Sequence, residues 1–365
     1  MELPPWVAGD VPLAPYTTLE LGGPAEFLAQ VPTPEALAET CRWAQEHRLP
    51  VAVLAGGSNV VVADEGVPGV VLKVAWEGLE VHKEPGAVTV VAAAGTPLDQ
   101  LVALAVAEGW AGLEGLSGIP GTVGATPIQN VGAYGQEVGD RLVWVEVFDL
   151  ERQAFVRVSR EACGLSYRKS RFRGQRRYVI TRVALALTPG GTPTLAYPEL
   201  AARFAGKATP SLADVREAVL ELRRAKGMVW RPGEPESRTV GSFFKNPILH
   251  PQAWDELCRR AWEQDLLPAG QHPPHFSTPQ GVKLSAAWLV ERAGFSKGFR
   301  QGAFGVSPRH ALALVHWGGG TARELVALAH NIQERVRRQF GVVLEPEPVF
   351  LGFGASPPLP RGVAL

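Results

Sequence analysis

Two stretches of the chain are rich in glycine: Gly56-Gly57-Ser58-Asn59, and the run from Glu114 to Gly135, EGLSGIPGTVGATPIQNVGAYG. Glycine lets a backbone take positive φ and approach another surface closely. Pro120 and Pro127 fix φ locally. The longer run carries no positive charge. Together these describe an ordered loop whose peptide N–H groups face a ligand. Phosphate comes first, because backbone nests bind anions without lysine; a series of tight turns between core elements is the plainer alternative. The spacing excludes two nucleotide-binding motifs. Gly56–Asn59 joins strand to strand, Gly118-x-x-Gly121-x-x-Gly124 is not GxGxxG, and Pro127 blocks a following helix, so no Rossmann fingerprint is present. The P-loop pattern GxxxxGK[ST] is absent. A bound nucleotide belongs to another kind of fold.

Other stretches hold side chains capable of chemistry. Ser166–Gly174, SYRKSRFRG, is densely basic but lies between two expected strands, where a solvated hairpin is the bland reading. Arg223, Arg224 and Lys226 end an expected helix, where cations oppose the dipole favourably. Gly241–Pro247, GSFFKNP, brings a serine, two phenylalanines, a lysine and an asparagine together. His272-Pro273-Pro274-His275 invites a metal reading, but prolines there mark a loop and no third ligand is evident, so no metal is expected.

The whole chain sets bounds. Its 365 residues exceed one ordinary core, so two or three domains are expected. Lys+Arg and Asp+Glu are equal at 36 each, which argues against nucleic-acid or membrane-surface binding through bulk charge. Cys41, Cys163 and Cys258 are scattered and odd in number, suggesting neither disulfides nor zinc and fitting a reducing cytoplasm. No signal peptide or membrane-length apolar run is visible. The 28 arginines, 8 lysines and 31 prolines fit heat adaptation or GC-rich codon usage equally well. Of only four asparagines, Asn59, Asn130 and Asn246 fall inside glycine-rich or turn-like motifs.

The elements that must position these stretches read as α+β. Strands are expected at 26–32, 50–54, 60–63, 87–95, 142–149, 154–158, 178–187 and 348–351. Helices are expected from Thr33-Pro34-Glu35 to Glu46, at 97–108, 211–226, 251–264, 283–293 and 321–340. The first has an N-cap residue, proline at its first position and an acid in its first turn. The tail, 355–365, reads as loose.

Eight motifs in order now stand out: AGGSNVVVADEG, GIPGTVGATPIQNVGAYG, SYRKSRF, LAYPEL, LRRAKG, GSFFKNP, VKLSAAWLVERAG and LEPEPVFLG. This set, from about Tyr16 to Gly352, resembles the UDP-N-acetylenolpyruvoylglucosamine reductase (MurB) family of bacterial peptidoglycan synthesis. LAYPEL and PIQN resemble its subclass that keeps a substrate-covering tyrosine loop. The resemblance implies an α+β fold: an FAD-binding module of the vanillyl-alcohol-oxidase type, in two subdomains, plus an α+β substrate-binding domain. It implies residues 1–74 with 341–365 as the first FAD-binding subdomain, 75–208 as the second, and 209–340 as the substrate domain.

The resemblance also implies roles. Gly56, Gly57, Ser58 and Asn59, with Ile119, Pro120, Gly121 and Gly124, would wrap the FAD pyrophosphate; Asn130, Ala133, Tyr134 and Gly135 would line the flavin. NADPH would be the reductant and UDP-N-acetylglucosamine enolpyruvate the substrate. Ser242 would be the proton donor, Arg168 the cation against the substrate carboxylate, and Glu347 an acid or hydrogen-bond partner. Glu345 competes for that last role, though alignment of PEP with the family's Pro-Glu-Val favours Glu347. Tyr197, Lys226 and Asn246 would hold the UDP diphosphate and sugar, with Arg223 as helper. Two departures are visible: Pro348 follows Glu347, and His316 replaces a common asparagine. A flavin oxidase of the same fold, or a non-catalytic nucleotide-sugar binder, are the competing readings. Oligomeric state is not legible.

Overall fold

A computed structural model describes residues 2–206, 208–354 and 358–360. The chain forms two compact units. The first is Met1–Val11, Ala25–Gly57 and Pro68–Val229; the second is Pro12–Pro24, Ser58–Val67 and Trp230–Leu365.

The first unit holds two sheets. One orders its strands Val7–Pro12, Pro24–Val31, Val67–Val74 and Val51–Val53. Helix α1, Pro34–Glu46, begins as the sequence dictates: the Thr33 side chain accepts from the Ala36 amide at 3.2 Å and Pro34 opens the first turn. Its Leu37, Cys41 and Ala44 are buried in one cluster with Val70 and Leu72 of that sheet. The second sheet is antiparallel, in the order Ala154–Ser159, Leu142–Asp149, Tyr178–Pro189, Ala87–Ala93 and Leu79–Glu84. Alternating Val88, Val90 and Ala92 share a core with Val145, Val147 and Val183, and helix α2, Leu98–Ala107, adds Leu98, Leu101 and Val102. Strands Val67–Val74 and Leu79–Glu84 are additional to those expected from the sequence.

Helices α3, Pro198–Phe204, and α4, Leu212–Ala225, also belong to this unit. Ser211 and Asp214 form a capping box at the start of α4. Val215, Val219 and Leu222 are buried with Leu200 and Tyr134. Arg216 grips both oxygens of Asp99 on α2, at 2.7 and 2.8 Å. These contacts group residues 212–225 with the glycine loop.

The second unit holds helices α5, Pro251–Glu263; α6, Ala286–Arg292; and α7, Ala322–Phe340. α7 starts with a Thr321–Glu324 capping box and ends at Gly341, whose φ is +73°. Its Leu325, Leu328, Ile332 and Val336 are buried. The expected helix 283–293 is shorter. Residues Gly281–Leu284 pair instead with Ile248–Leu249 and His275–Thr278, and Ser285 caps α6 by accepting from Trp288 at 3.4 Å. A three-stranded sheet carries Arg300–Gln301, Phe304–Val306 and Leu314–His316. The final strand, Val349–Leu351, returns to lie parallel to Val60–Val62. Of the tail 355–365, only 358–360 lie within the described residues, and these are not loose. Leu359 is buried, and the Pro360 carbonyl accepts from Gln333 Nε2 at 3.1 Å.

Candidate active site

Within the first unit the two glycine stretches meet. A Cβ added at Gly56 would lie 2.7 Å from the Gly121 Cα, so only glycine permits this approach. Gly121 itself has φ +105°. The loop is less open than its sequence suggests. The amides of Ile119, Val123 and Gly124 donate inward, to Leu116, Thr96 and Ala94 at 3.3, 2.8 and 3.0 Å. Gly118 donates to Asp99 Oδ1 at 2.6 Å. Among the described residues, the amides of Gly56, Gly121 and Thr122 have no protein acceptor, and all three are half-buried. Three N–H groups without acceptors at a contact of two glycine loops are a cradle that could take an anion.

Lys73 adds a cation that motif reading missed. Its Nζ donates to the carbonyl of Ala55, the residue before Gly56, at 3.2 Å. Burial lowers its pKa from the usual lysine value. Among the described residues no carboxylate pairs with it. A lysine inside a strand gives no motif, so only tertiary placement reveals it.

Asn130, at φ +47°, is spent on the loop itself. Its Nδ2 donates to Glu137 at 2.6 Å and its Oδ1 accepts from Gly139 at 2.8 Å. Arg168, also at positive φ, donates to the Gly132 carbonyl at 2.8 Å and the Asn130 carbonyl at 3.4 Å, with Glu137 at 3.9 Å. Ser170 Oγ donates to the Ile128 carbonyl at 2.6 Å. The basic segment is therefore laid along residues 128–132 rather than solvated as a free hairpin.

Tyr134 stands edge-to-face with Tyr197, ring centroids 5.2 Å apart, and Lys226 Nζ lies 5.6 Å from each ring. Lys226 also pairs with Glu199. Burial works against its charge, but the Glu199 hydrogen bond and the neighbouring Tyr134, Tyr197 and Glu199 outweigh it, so its pKa is raised. Burial raises the Tyr134 phenol, against the pull of Lys226 and Arg223. Arg223 is buried and donates to two carbonyls, Gly118 at 3.1 Å and Met228 at 2.6 Å. Burial lowers its pKa, opposed by Tyr134 and Asp99.

In the second unit, GSFFKNP is pinned from two directions. Phe243 donates to the Leu312 carbonyl and Glu347 donates to the Phe243 carbonyl, both at 2.8 Å. Lys245 donates to the Glu345 carbonyl at 2.9 Å, and Phe244 bridges Pro346. Phe243 and Phe244 are buried, edge-to-face at 5.2 Å. Ser242 itself bridges Ala313, and its half-buried side chain has an Oγ with no hydrogen-bond partner among the described residues. Glu345 pairs with Lys245 Nζ at 2.6 Å. Asn59 joins this network: Val349 donates to its carbonyl at 3.0 Å, and its Nδ2 reaches the Glu347 carbonyl at 3.5 Å. Asn246 Oδ1 accepts from the Ala286 amide at 2.9 Å, while its Nδ2 has no partner among the described residues.

Neither sequence departure disturbs this set. Pro348 sits between two amides that are used, Glu347 and Val349, and its missing N–H takes a bond from neither. His316 Nδ1 bonds the Leu19 carbonyl at 2.8 Å, which requires the proton there, and Nε2 accepts from Gly320 at 3.3 Å. Its ring stacks on Phe304.

Among the described residues no cluster of three or more His, Cys, Asp or Glu could hold a metal, and no helix is long and apolar enough to cross a membrane. His272 and His275 pack instead around Trp254. The three cysteines are free and buried, and burial pushes the Cys41 thiol up to about 12.

Residues 25–158 match the family model of an FAD binding domain, and residues 234–351 match that of the UDP-N-acetylenolpyruvoylglucosamine reductase C-terminal domain. The cradle's unclaimed amides and the Lys73 cation suit a pyrophosphate. A protein of Thermobifida fusca called UDP-N-acetylenolpyruvoylglucosamine reductase is 46% identical over 351 residues, covering 94% of this chain and 98% of its own. One of the same name from Salinispora arenicola is 44% identical over 349 residues, covering 93% and 94%. The crystal structure of the Thermus caldophilus enzyme of that name superposes with a TM-score of 0.63 at 28% identity, over 94% of this chain and 98% of that one. With its α+β fold, its FAD binding domain and nearly its whole length matched, the chain belongs to the UDP-N-acetylenolpyruvoylglucosamine reductase family.

Proposed function

We propose that the protein reduces the enolpyruvyl group of UDP-N-acetylglucosamine enolpyruvate to UDP-N-acetylmuramate, using NADPH, in cytoplasmic peptidoglycan synthesis. The observation that carries the reading is the Ser242 hydroxyl, without a hydrogen-bond partner among the described residues, next to Phe243, whose carbonyl accepts from the Glu347 amide. The residues that would hold FAD are Gly56, Gly57, Ser58 and Asn59, with Ile119, Pro120, Gly121, Gly124 and Lys73 toward its pyrophosphate and Ala133, Tyr134 and Gly135 toward its ring. Asn130 would act by shaping that loop. Bound there, FAD supplies hydride to the enolpyruvyl double bond after taking hydride from NADPH.

Hydride addition to the terminal carbon leaves enolate-like charge beside the substrate carboxylate. Arg168 would face that charge; a guanidinium stays ionised and grips a carboxylate with two donors. Its anchoring on the Asn130 and Gly132 carbonyls would hold it ready. Ser242 would deliver the proton to the adjacent carbon. A hydroxyl is a weak acid, but a carbanion is a strong base, so position decides the rate. The backbone bonds on both sides of Ser242 would supply that position. Glu347 would hydrogen-bond the reacting group or restore the serine proton.

Lys226 and Arg223 would answer the diphosphate charge, Tyr197 would cover the sugar nucleotide, and the free Nδ2 of Asn246 would donate to it. The test is anaerobic: flavin reduced by NADPH should be reoxidised by UDP-N-acetylglucosamine enolpyruvate and not by unrelated enol ethers. A colourless protein that takes up no FAD would contradict the reading.

A further inference from the structure

Glu114 and Gln136 stand at the two ends of the long glycine loop, and their side chains join across its base. Gln136 Nε2 donates to Glu114 Oε1 at 2.8 Å, and Gln136 Oε1 accepts from the Gly115 amide at 2.6 Å. Glu114 is 1% exposed, yet both its oxygens are used. Oε2 accepts from the Gly112 amide at 2.8 Å; Oε1 also accepts from the Thr194 amide at 2.8 Å. Gln136 Nε2 reaches Thr194 Oγ1 at 3.1 Å. A buried acid is tolerated when N–H donors satisfy it, and here all of its donors are neutral.

Thr194 belongs to the strap that carries Tyr197. The strap leaves the second sheet where Thr188 and Pro189 pair with Ala111 and Trp110. It meets the glycine loop again at Gly135, where an added Cβ would lie 3.0 Å from the Ala196 Cβ. So the strap hangs on the loop at two places, the Glu114–Gln136 clasp and Gly135, and Tyr197 follows directly.

We propose that Glu114 is a positioning residue for the sugar-nucleotide substrate: its clasp with Gln136 fixes the Tyr197 strap to the loop that holds the cofactor. The proposal rests on the reading of Tyr197 as a substrate residue. Glu114 acts through the strap and touches no reactant. Replacing it with glutamine turns one acceptor oxygen into an N–H donor that faces N–H donors, the Gly112 amide on one side or the Thr194 amide and Gln136 on the other, so the clasp loses an acceptor while size is kept.

The experiment uses FAD-loaded Glu114→Gln. The expected result is a KM for UDP-N-acetylglucosamine enolpyruvate raised on the order of tenfold, the cost of one buried hydrogen bond. Flavin reduction by NADPH should stay within about twofold, since the unpartnered amides and Lys73 beside them are left in place. Amide exchange at 190–197, followed by mass spectrometry, should quicken. Unchanged KM with unchanged exchange overturns the proposal. Equal loss of both half-reactions with release of FAD also overturns it, because Glu114 would then merely support the cofactor loop. If Glu114→Gln does not fold, Thr194→Val removes only the hydroxyl on the strap side, and the same readouts decide with a smaller shift. Tyr197→Ala separates the two readings. If it leaves KM unchanged, the substrate role of Tyr197 fails, while the exchange at 190–197 in Glu114→Gln still judges the clasp.

Discussion

The Glu347 amide donates to the Phe243 carbonyl at 2.8 Å, and this bond joins the two segments that carry the acid and the hydroxyl. The residues are 104 positions apart in sequence, and the pairing is fixed further by Lys245 donating to the Glu345 carbonyl at 2.9 Å. Position therefore comes from backbone bonds between the two segments. Glu347→Gln keeps the backbone bond and removes the acid. It should lower kcat with substrate by about 10²-fold or more, the usual scale of acid–base assistance, with flavin reduction by NADPH unchanged. Stopped-flow measurement of each half-reaction checks this; equal loss in both would point to a structural role.

The contact of Gly56 with Gly121 gives a steric prediction. Gly56→Ala brings its Cβ to 2.7 Å of backbone, which cannot step aside as a side chain would. The loops must part by some tenths of an ångström. The variant should fold, with FAD affinity lowered about tenfold or more, since displaced amides lose their aim. Titration of apoprotein by flavin fluorescence measures it.

Lys73 should contribute charge to the same site. Lys73→Met keeps the aliphatic stem and removes the cation. FAD binding should weaken by about tenfold, the scale of one charge-assisted contact, and its dependence on salt should flatten. Riboflavin, which lacks phosphate, should bind both proteins alike. A parallel loss of riboflavin would show that Lys73 only supports the Ala55 carbonyl.

How far these features could be read in advance depends on whether a residue's role is local. The caps of Thr33, Ser211 and Thr321 are local, and their helices follow. The glycine stretches are local too, and their spacing rules out a Rossmann loop before any fold is known. Lys73, Glu114 and Gln136 are different. Each is an ordinary residue in its own segment, and its meaning comes from partners 18 to 80 positions away. The same holds for Gly281–Leu284, whose strand pairing is set by Ile248–Leu249 and overrides an apolar pattern that reads as helix. Leu359 looks like tail in sequence because the core that buries it lies elsewhere.

Asp99 should link stability to acid. Burial tends to raise its pKa, but the Arg216 fork and the Gly118 amide outweigh this and lower it. A lowered folded-state value means stability present above the unfolded value, about 3.9, and lost as pH falls through the folded value. The side chain is 39% exposed, so screening reduces the effect. Asp99→Asn should cost about 1 kcal/mol near neutral pH and flatten the fall in stability below about pH 4. Urea unfolding at pH 3 and pH 7 tests this; an unchanged difference between the two would contradict it.

The most direct test of the central claim is a single-turnover experiment on Ser242→Ala. The variant is loaded with FAD, reduced anaerobically with one equivalent of NADPH, and mixed with UDP-N-acetylglucosamine enolpyruvate while flavin absorbance is followed. Reduction by NADPH should match the wild type within about twofold, and reoxidation by substrate should fall by at least about 10³-fold, because removing the donor leaves only water to protonate the carbanion. Reoxidation at the wild-type rate would contradict the assignment of the proton to Ser242.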